Sequence, residues 1–419
     1  MLLNVLIGLS QEKRYEMIIE KTQMHELQKK YGESFYILDS SKFLSNYKEL
    51  KKAFASIYPN FNIAYSYKTN YIPHLCNLVN RMGGYAEIVS EMELELAKRI
   101  GVEYKNIIWN GPVKNIDILQ NFLLYGGIAN VDSIEEFHVV EQIAKQNPDS
   151  NINIGIRCNY DVGDGVISRF GFDVHGKDFK YIINYIRADN NIVLKNFHCH
   201  FAKRQIEYWH NRTKDMLELI DELGIIPDRI DLGGGMFGNM PNELAKQLGG
   251  YIPGYSDYAN VVAKPFAEYF SNTSVKPELV VEPGSALVGD CMQFVATVKS
   301  IKSIRGKIYA TLSGSQKNIS MTSVNPPIDI ININDGEEFQ SDLTMVGYTC
   351  IESDILYRGY NGKLSVGDVV VFWNCGSYSL VMKPPFILPN VPVIDVSNEE
   401  FKLIKRQETF DDVFQTFIF

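Results

Sequence analysis

Four kinds of residue at the ends of β-rich runs could do chemistry together. A lysine, Lys68, closes the run NIAYSYK, and a histidine, His200, closes IVLKNFHCH. Three glycines, Gly233, Gly234 and Gly235, close RIDLGGG, and an acid, Glu282, stands in ELVVEP. A lysine withdrawn from water holds its proton less tightly and becomes a nucleophile toward carbonyls, which is the basis of Schiff-base formation. A turn of glycines lets backbone N–H groups approach an anion closely, and phosphate sites in barrels favour the loops after strands seven and eight. A phosphate cradle joined to a Schiff-base lysine points to pyridoxal phosphate. Taken singly each feature is weak, because most lysines are solvated surface charges and polar strand-end residues serve as helix caps or loop contacts.

Eight strand-like runs must position these residues. Besides the four above, they are YAEIVS ending at Ser90, NIIWN ending at Asn110, IANVDS ending at Ser133 and INIGIRC ending at Cys158. They are mostly continuous apolar runs, as parallel strands buried on both faces should be. Helical stretches separate them. Ser90 with Glu93 and Ser133 with Glu136 have the spacing of capping boxes, and Leu94, Ala97 and Ile100 then follow at helical intervals up to Gly101. Eight strand–helix units are the arithmetic of a (β/α)8 barrel, in which all C-terminal strand ends open on one face. That face is where Lys68, Glu87, Asn110, Asp132, Arg157, His200, the glycine run and Glu282 are expected to gather.

After Glu282 the pattern changes to short runs such as QFVATVKSI, KIYATL, DVVVFWN and VPVIDV, broken by Gly, Pro and Asn, which reads as an all-β domain. The expected division is an N-terminal segment, residues 1–35, packing with the β-domain, a barrel over 36–283 and the β-domain over 284–419. The chain has 419 residues, 45% hydrophobic and 22% charged, which excludes a disordered or collagenous chain. A net charge of −9 argues against nucleic acid as a partner. No apolar run approaches the roughly 18 residues of a membrane span. The apolar start, MLLNVLIGLS, lacks the flanks of a signal peptide, so a cytoplasmic protein is expected. None of the six cysteines forms a CxxC pair, so no metal site is expected and the thiols should be free.

The motifs resemble those of the fold-type III pyridoxal-phosphate decarboxylases, which include diaminopimelate and ornithine decarboxylases. YSYKTN, AEIVS with EMEL, SRFG, NFHCHF, LGGG, VEPG, GYTCIESD and CGSYSLVM occur in the family's order, from about Glu33 to the end. The resemblance implies a (β/α)8 barrel of the alanine racemase type followed by a β-domain, with pyridoxal phosphate as cofactor and a homodimer with shared sites. It implies that Lys68 carries the cofactor, that His200 packs on its ring and that Glu282 pairs with the pyridine nitrogen. Gly233, Gly234, Gly235 and Tyr378 would hold the phosphate. Glu87, where the family usually has aspartate, would lie near Lys68, and Arg157 would brace the polar network. Cys350 and Asp354 would enter from the other subunit, with Cys350 returning a proton to Cα.

An acid opposite the pyridine nitrogen favours decarboxylation, because a protonated ring is the stronger electron sink. Alanine racemases, on the same fold, place an arginine there. Three departures bear on the substrate. Ser285 stands where the family has arginine, Lys203 where it has serine, and Ile351 where it has an acid, with Glu352 one place later. In the family the serine contacts phosphate, the first and third positions help read the substrate's far end in diaminopimelate decarboxylases, and the acid binds a distal ammonium in ornithine decarboxylases, so a longer, conjugated or anionic amino acid is expected, with Lys203 and Arg204 available to read an anion. Two alternatives remain at this point: a racemase or epimerase with Cys350 as second base, and a non-catalytic homologue that sequesters a partner.

Overall fold

The computed structural model describes residues 21–188, 191–320, 323–333 and 339–419. The start MLLNVLIGLS lies outside the described residues. Two compact units emerge: residues 43–238 with 253–288, and residues 1–42 with 239–252 and 289–419.

The first unit is the expected barrel. Its strands are β1 (Phe61–Ser66), β2 (Tyr85–Ile88), β3 (Ile107–Trp109), β4 (Ile128–Val131), β5 (Ile152–Asn159), β6 (Ile192–His198), β7 (Arg229–Asp231) and β8 (Glu278–Val281). Each pairs in parallel with the next, and β8 pairs with β1 to close the ring. The outer helices are α1 (Pro73–Arg81), α2 (Glu91–Arg99), α3 (Ile116–Leu124), α4 (Ile134–Gln146), α5 (Lys177–Ala188), α6 (Ile206–Leu223) and α7 (Tyr255–Tyr269). Ser90 and Ser133 cap α2 and α4 as expected, each accepting from the backbone N–H three residues on. Gly224, left-handed at φ +60°, ends α6.

The barrel interior is layered, and the layers explain its mixed chemistry. At the N-terminal ends of the strands, Arg229 Nε donates to Glu278 at 3.1 Å and the Tyr85 hydroxyl donates to the same carboxylate at 2.9 Å. Above them Ala64, Ile108 and Val280 form a small apolar layer. Higher still, Asn130 and Asn196 face each other across Gly155, their amides 2.8 Å apart. A Cβ on Gly155 would lie 1.7 Å from Asn130 Oδ1, so only glycine fits between the two asparagines.

The second unit is built on a nine-stranded sheet. Phe35–Leu38 pairs antiparallel with Met292–Ile304 and parallel with Val393–Asp395, so SFYILD is a strand of this sheet and not of the barrel. That pairing moves the first boundary from 35/36 to 42/43. Phe35, Ile37, Val295, Val369, Val371 and Ile394 make the core, and helix Lys21–Tyr31 adds Met24 and Leu27 to it. Among the described residues no helix is long and apolar enough to cross a membrane.

Replacing Gly155 by alanine should lower unfolding stability by about 1–3 kcal/mol, the usual range for overpacking. Urea titration of the two proteins measures this, and equal midpoints would mean that Asn130 does not occupy the space beside β5.

Candidate active site

The C-terminal strand ends gather the polar residues expected there. Lys68 sits in a single helical turn, Tyr67–Thr69, directly after β1, with its side chain about one-third exposed at the mouth. Its Nζ donates to Glu87 at 2.6 Å, and the Ser66 hydroxyl donates to the same carboxylate oxygen at 2.5 Å. Asn110, after β3, reaches Glu87 Oε1 at 3.1 Å and Glu282 with the same amide nitrogen. Its Oδ1 accepts from Asn130 at 2.5 Å, so the asparagine layer below supports the carboxylates above.

Glu282 is buried beside them. Burial alone would raise its carboxyl, but His198, His200 and Lys68 outweigh burial and hold it well below the usual carboxylate range. His198 Nε2 lies 3.4 Å away and His200 Nδ1 3.8 Å away. Burial lowers both imidazoles, and the Glu282 carboxylate opposes it. Asp231 stands close by, and burial together with the charge on Glu282 pushes its carboxyl well up. The pair therefore carries one negative charge, on Glu282.

Arg157 lies on β5 with Nη1 3.3 Å from Asp132 and its guanidinium over the Phe170 ring, in the SRFG loop. Behind this edge, Lys114 Nζ is fully buried and bonds Glu136 at 2.6 Å, Gly111 O at 2.6 Å and Asn130 O at 3.1 Å. Burial pulls the ammonium down and the carboxyl up, each opposed by its partner.

The glycine turn fits a phosphate. Gly233 and Gly235 are left-handed at φ +70° and +88°, and a Cβ on Gly234 would meet Glu282 O at 2.4 Å. The Gly233 N–H donates to Asp231 and the Gly234 N–H to His200 Nδ1, both at 2.9 Å. The next two N–H groups, of Gly235 and Met236, have no acceptor among the described residues. Consecutive free amides next to a left-handed glycine form an anion nest. With Lys68, His200 and Glu282 at the same mouth, the residues present suit pyridoxal phosphate.

The remaining sequence candidates divide between the units. In the barrel unit, Lys203 is exposed, Arg204 lies over the Phe237 ring, and Ser285 begins the short helix Ser285–Val288. In the sheet unit, Tyr378 is left-handed at φ +59°, uncommon for a residue with a side chain. Cys350, Ile351 and Glu352 are exposed, and the other five cysteines are buried thiols. Asp354 is buried, and its carboxylate accepts from Gln316 N at 2.7 Å and from Thr349 Oγ1 at 2.5 Å. The loop thus folds around Asp354 and turns Cys350 outward. Sequence reasoning passed over His198, Asn130, Asn196, Asp231, Lys114 and Arg212. The two asparagines had a visible signal, a polar residue inside an apolar strand run, and so had Arg212, a charge on the apolar stripe of α6.

Comparisons with known proteins agree with this geometry. The model of the pyridoxal-binding domain of pyridoxal-dependent decarboxylases matches residues 41–289, more than half of the chain, and the chain belongs to that family. It is a pyridoxal-phosphate-dependent carboxy-lyase. The diaminopimelate decarboxylase of Aquifex aeolicus is 25% identical over 94% of each chain. The L-glutamyl-[BtrI acyl-carrier protein] decarboxylase of Niallia circulans is also 25% identical, over 96% of this chain and 97% of that one. A crystal structure of the M. jannaschii diaminopimelate decarboxylase superposes with a TM-score of 0.83 at 24% identity, covering 94% of both chains, and shows the same fold.

Breaking the Lys114–Glu136 pair from one side should be costly. Lys114→Met should destabilise the protein by about 3–5 kcal/mol, because it leaves a buried acid unpaired. Adding Glu136→Leu should recover much of that loss. A double variant no more stable than Lys114→Met in denaturant titrations would show that the two groups do not act as a pair.

Proposed function

We propose that this chain removes the α-carboxylate of an amino acid whose far end is conjugated or anionic, and that it works in the cytoplasm as a homodimer with shared sites. Glu282 is the observation that carries the decarboxylation. An acid kept ionised by its neighbours holds a proton on the pyridine nitrogen, which favours loss of carbon dioxide over simple racemisation. A racemase lacks this need, and a non-catalytic homologue would have no use for an ionised acid so deeply enclosed.

The bound cofactor supplies an electron sink for the pair left at Cα when the carboxylate departs. Residues of the chain do the rest. Lys68 Nζ holds the cofactor, and Glu87 orients that nitrogen. His200 would cover one ring face and keep water from it. The Gly235 and Met236 amides would take the phosphate. Asn110 ties Glu87 to Glu282, so the lysine end and the ring-nitrogen end of the site are held at one spacing. Cys350 of the partner subunit delivers a thiol proton to Cα. Asp354, committed to its own loop, sets the position of that thiol.

The substrate reading rests on missing counter-charges and surplus cations. Ser285 and Ile351 offer no charge to a distal carboxylate or ammonium. Arg169 and Lys203 are exposed, Arg204 is partly so, and none has an acid partner among the described residues. A relative named for a carrier-protein-bound glutamyl group supports a conjugated substrate. Free diaminopimelate has the names of other relatives in its favour, and one screen separates the two.

Release of carbon dioxide should be measured over free diaminopimelate, ornithine, N-conjugated amino acids and carrier-arm thioesters. The free diamino acids should be poorer substrates by roughly a hundredfold or more, since each leaves a charge unmatched. Ile351→Asp should raise activity on ornithine. Wild-type turnover of either free diamino acid at about 10⁴ M⁻¹s⁻¹ or better would overturn the substrate reading. Mixing the inactive variants Lys68→Ala and Cys350→Ala should restore activity through one intact hybrid site. No recovery, in mixtures shown to exchange subunits, would rule out shared sites.

A further inference from the structure

Arg212 is out of place by ordinary rules. It lies in the middle of α6 on the face that buries Trp209, Met216 and Ile220, and it is fully enclosed. A buried guanidinium normally finds a carboxylate, because removing its charge from water costs several kcal/mol. Arg212 has no acid within ion-pair distance among the described residues. Its partners are three carbonyl oxygens: Leu232 and Gly234 at 2.8 Å, and Phe201 at 3.0 Å. Its Nε has no acceptor among the described residues. The Trp209 ring packs 4.0 Å from the guanidinium, and the indole N–H takes a fourth carbonyl, that of Gly235, at 3.0 Å.

All of these carbonyls belong to the two loops that frame the anion nest. In a trans peptide the N–H points opposite to the preceding C=O, and no cis bond occurs among the described residues. Drawing the Gly234 and Gly235 carbonyls toward α6 therefore turns the Gly235 and Met236 N–H groups the other way. Those are the two amides without acceptors. The left-handed glycines allow the turn, but α6 decides its sense.

We propose that Arg212 is a positioning residue for the cofactor phosphate, acting from behind the glycine turn without touching it. Its bond to the Gly234 carbonyl fixes the peptide that presents the Gly235 amide to the anion, and Trp209, packed on the guanidinium, fixes the next peptide and with it the Met236 amide. Arg212 also places a positive charge, which Glu282 feels as well, one peptide layer away in a region of low dielectric where such a charge acts at a distance. The missing acid partner is then explained, because the counter-ion is the phosphate itself.

The proposal rests on the glycine turn holding the phosphate, and the experiment separates the two. The full-length chain and its Arg212→Met, Arg212→Gln and Arg212→Lys variants are stripped of cofactor and titrated by absorbance. One titration uses pyridoxal phosphate and the other uses pyridoxal, which lacks the phosphate. Arg212→Met should bind pyridoxal phosphate about tenfold to a hundredfold more weakly, the range for losing a charge-assisted contact. Its affinity for pyridoxal should change by less than about twofold. Arg212→Gln keeps an amide donor without the charge and should fall nearly as far, whereas Arg212→Lys should keep most of the affinity. If Arg212→Met does not fold, the Gln and Lys pair carries the test. Equal losses for both ligands, or Arg212→Gln binding the phosphate as wild type does, would overturn the proposal. If wild type itself binds pyridoxal as tightly as its phosphate, the turn is not the phosphate site and the placement of the cofactor fails first.

Discussion

An ionised carboxylate enclosed in a barrel costs several kcal/mol of desolvation unless partners replace its water. Glu282 is that carboxylate, and much of the barrel mouth is arranged to meet its demand. Asn110 donates to it, His198 and His200 flank it, and Asp231 keeps its own proton so that only one charge has to be accommodated. The same demand reaches downward. Asn110 is held by Asn130, Asn130 lies against Asn196, and Gly155 has no side chain because the space belongs to Asn130. A polar layer within a barrel core is therefore a consequence of one charge at its mouth.

The two ends of the site share this support. Glu87 belongs to Lys68 and Glu282 belongs to the far side, yet a single Asn110 amide bonds both. A group gripped at one end by Lys68 and at the other by Glu282 is thus held by one continuous hydrogen-bonded network. Such networks resist displacement better than separate pairs, because each bond polarises the next. A second network, from Arg212 and Trp209 to the glycine turn, governs the phosphate end by the same means: side chains outside the site orient the groups that face it.

The barrel was legible in the sequence because local signals repeat there. Five of the eight apolar runs end in a polar residue, and serine caps open α2 and α4. The strand Phe35–Leu38 was harder. Four apolar residues between two helices fit either unit, and only its pairing with Met292–Ile304 and Val393–Asp395 assigned it to the sheet. Asp354 shows the opposite limit. Its motif marked it as a residue facing a substrate, but the motif does not reveal that Thr349 and the Gln316 backbone occupy its oxygens.

The sequence by itself determined which chemical groups the protein has and the order in which strand ends present them: a lysine after β1, a histidine after β6, glycines after β7 and an acid after β8. Those are local facts, written in residue type and spacing. The tertiary structure decided what each group is worth. Glu282 stays ionised and Asp231 neutral because of fields from residues far away in the chain. Arg212 meets carbonyls and no acid because α6 packs where those carbonyls converge. Charge states and contacts of this kind depend on distance in space and on exclusion of water, and neither is encoded in any short stretch of residues.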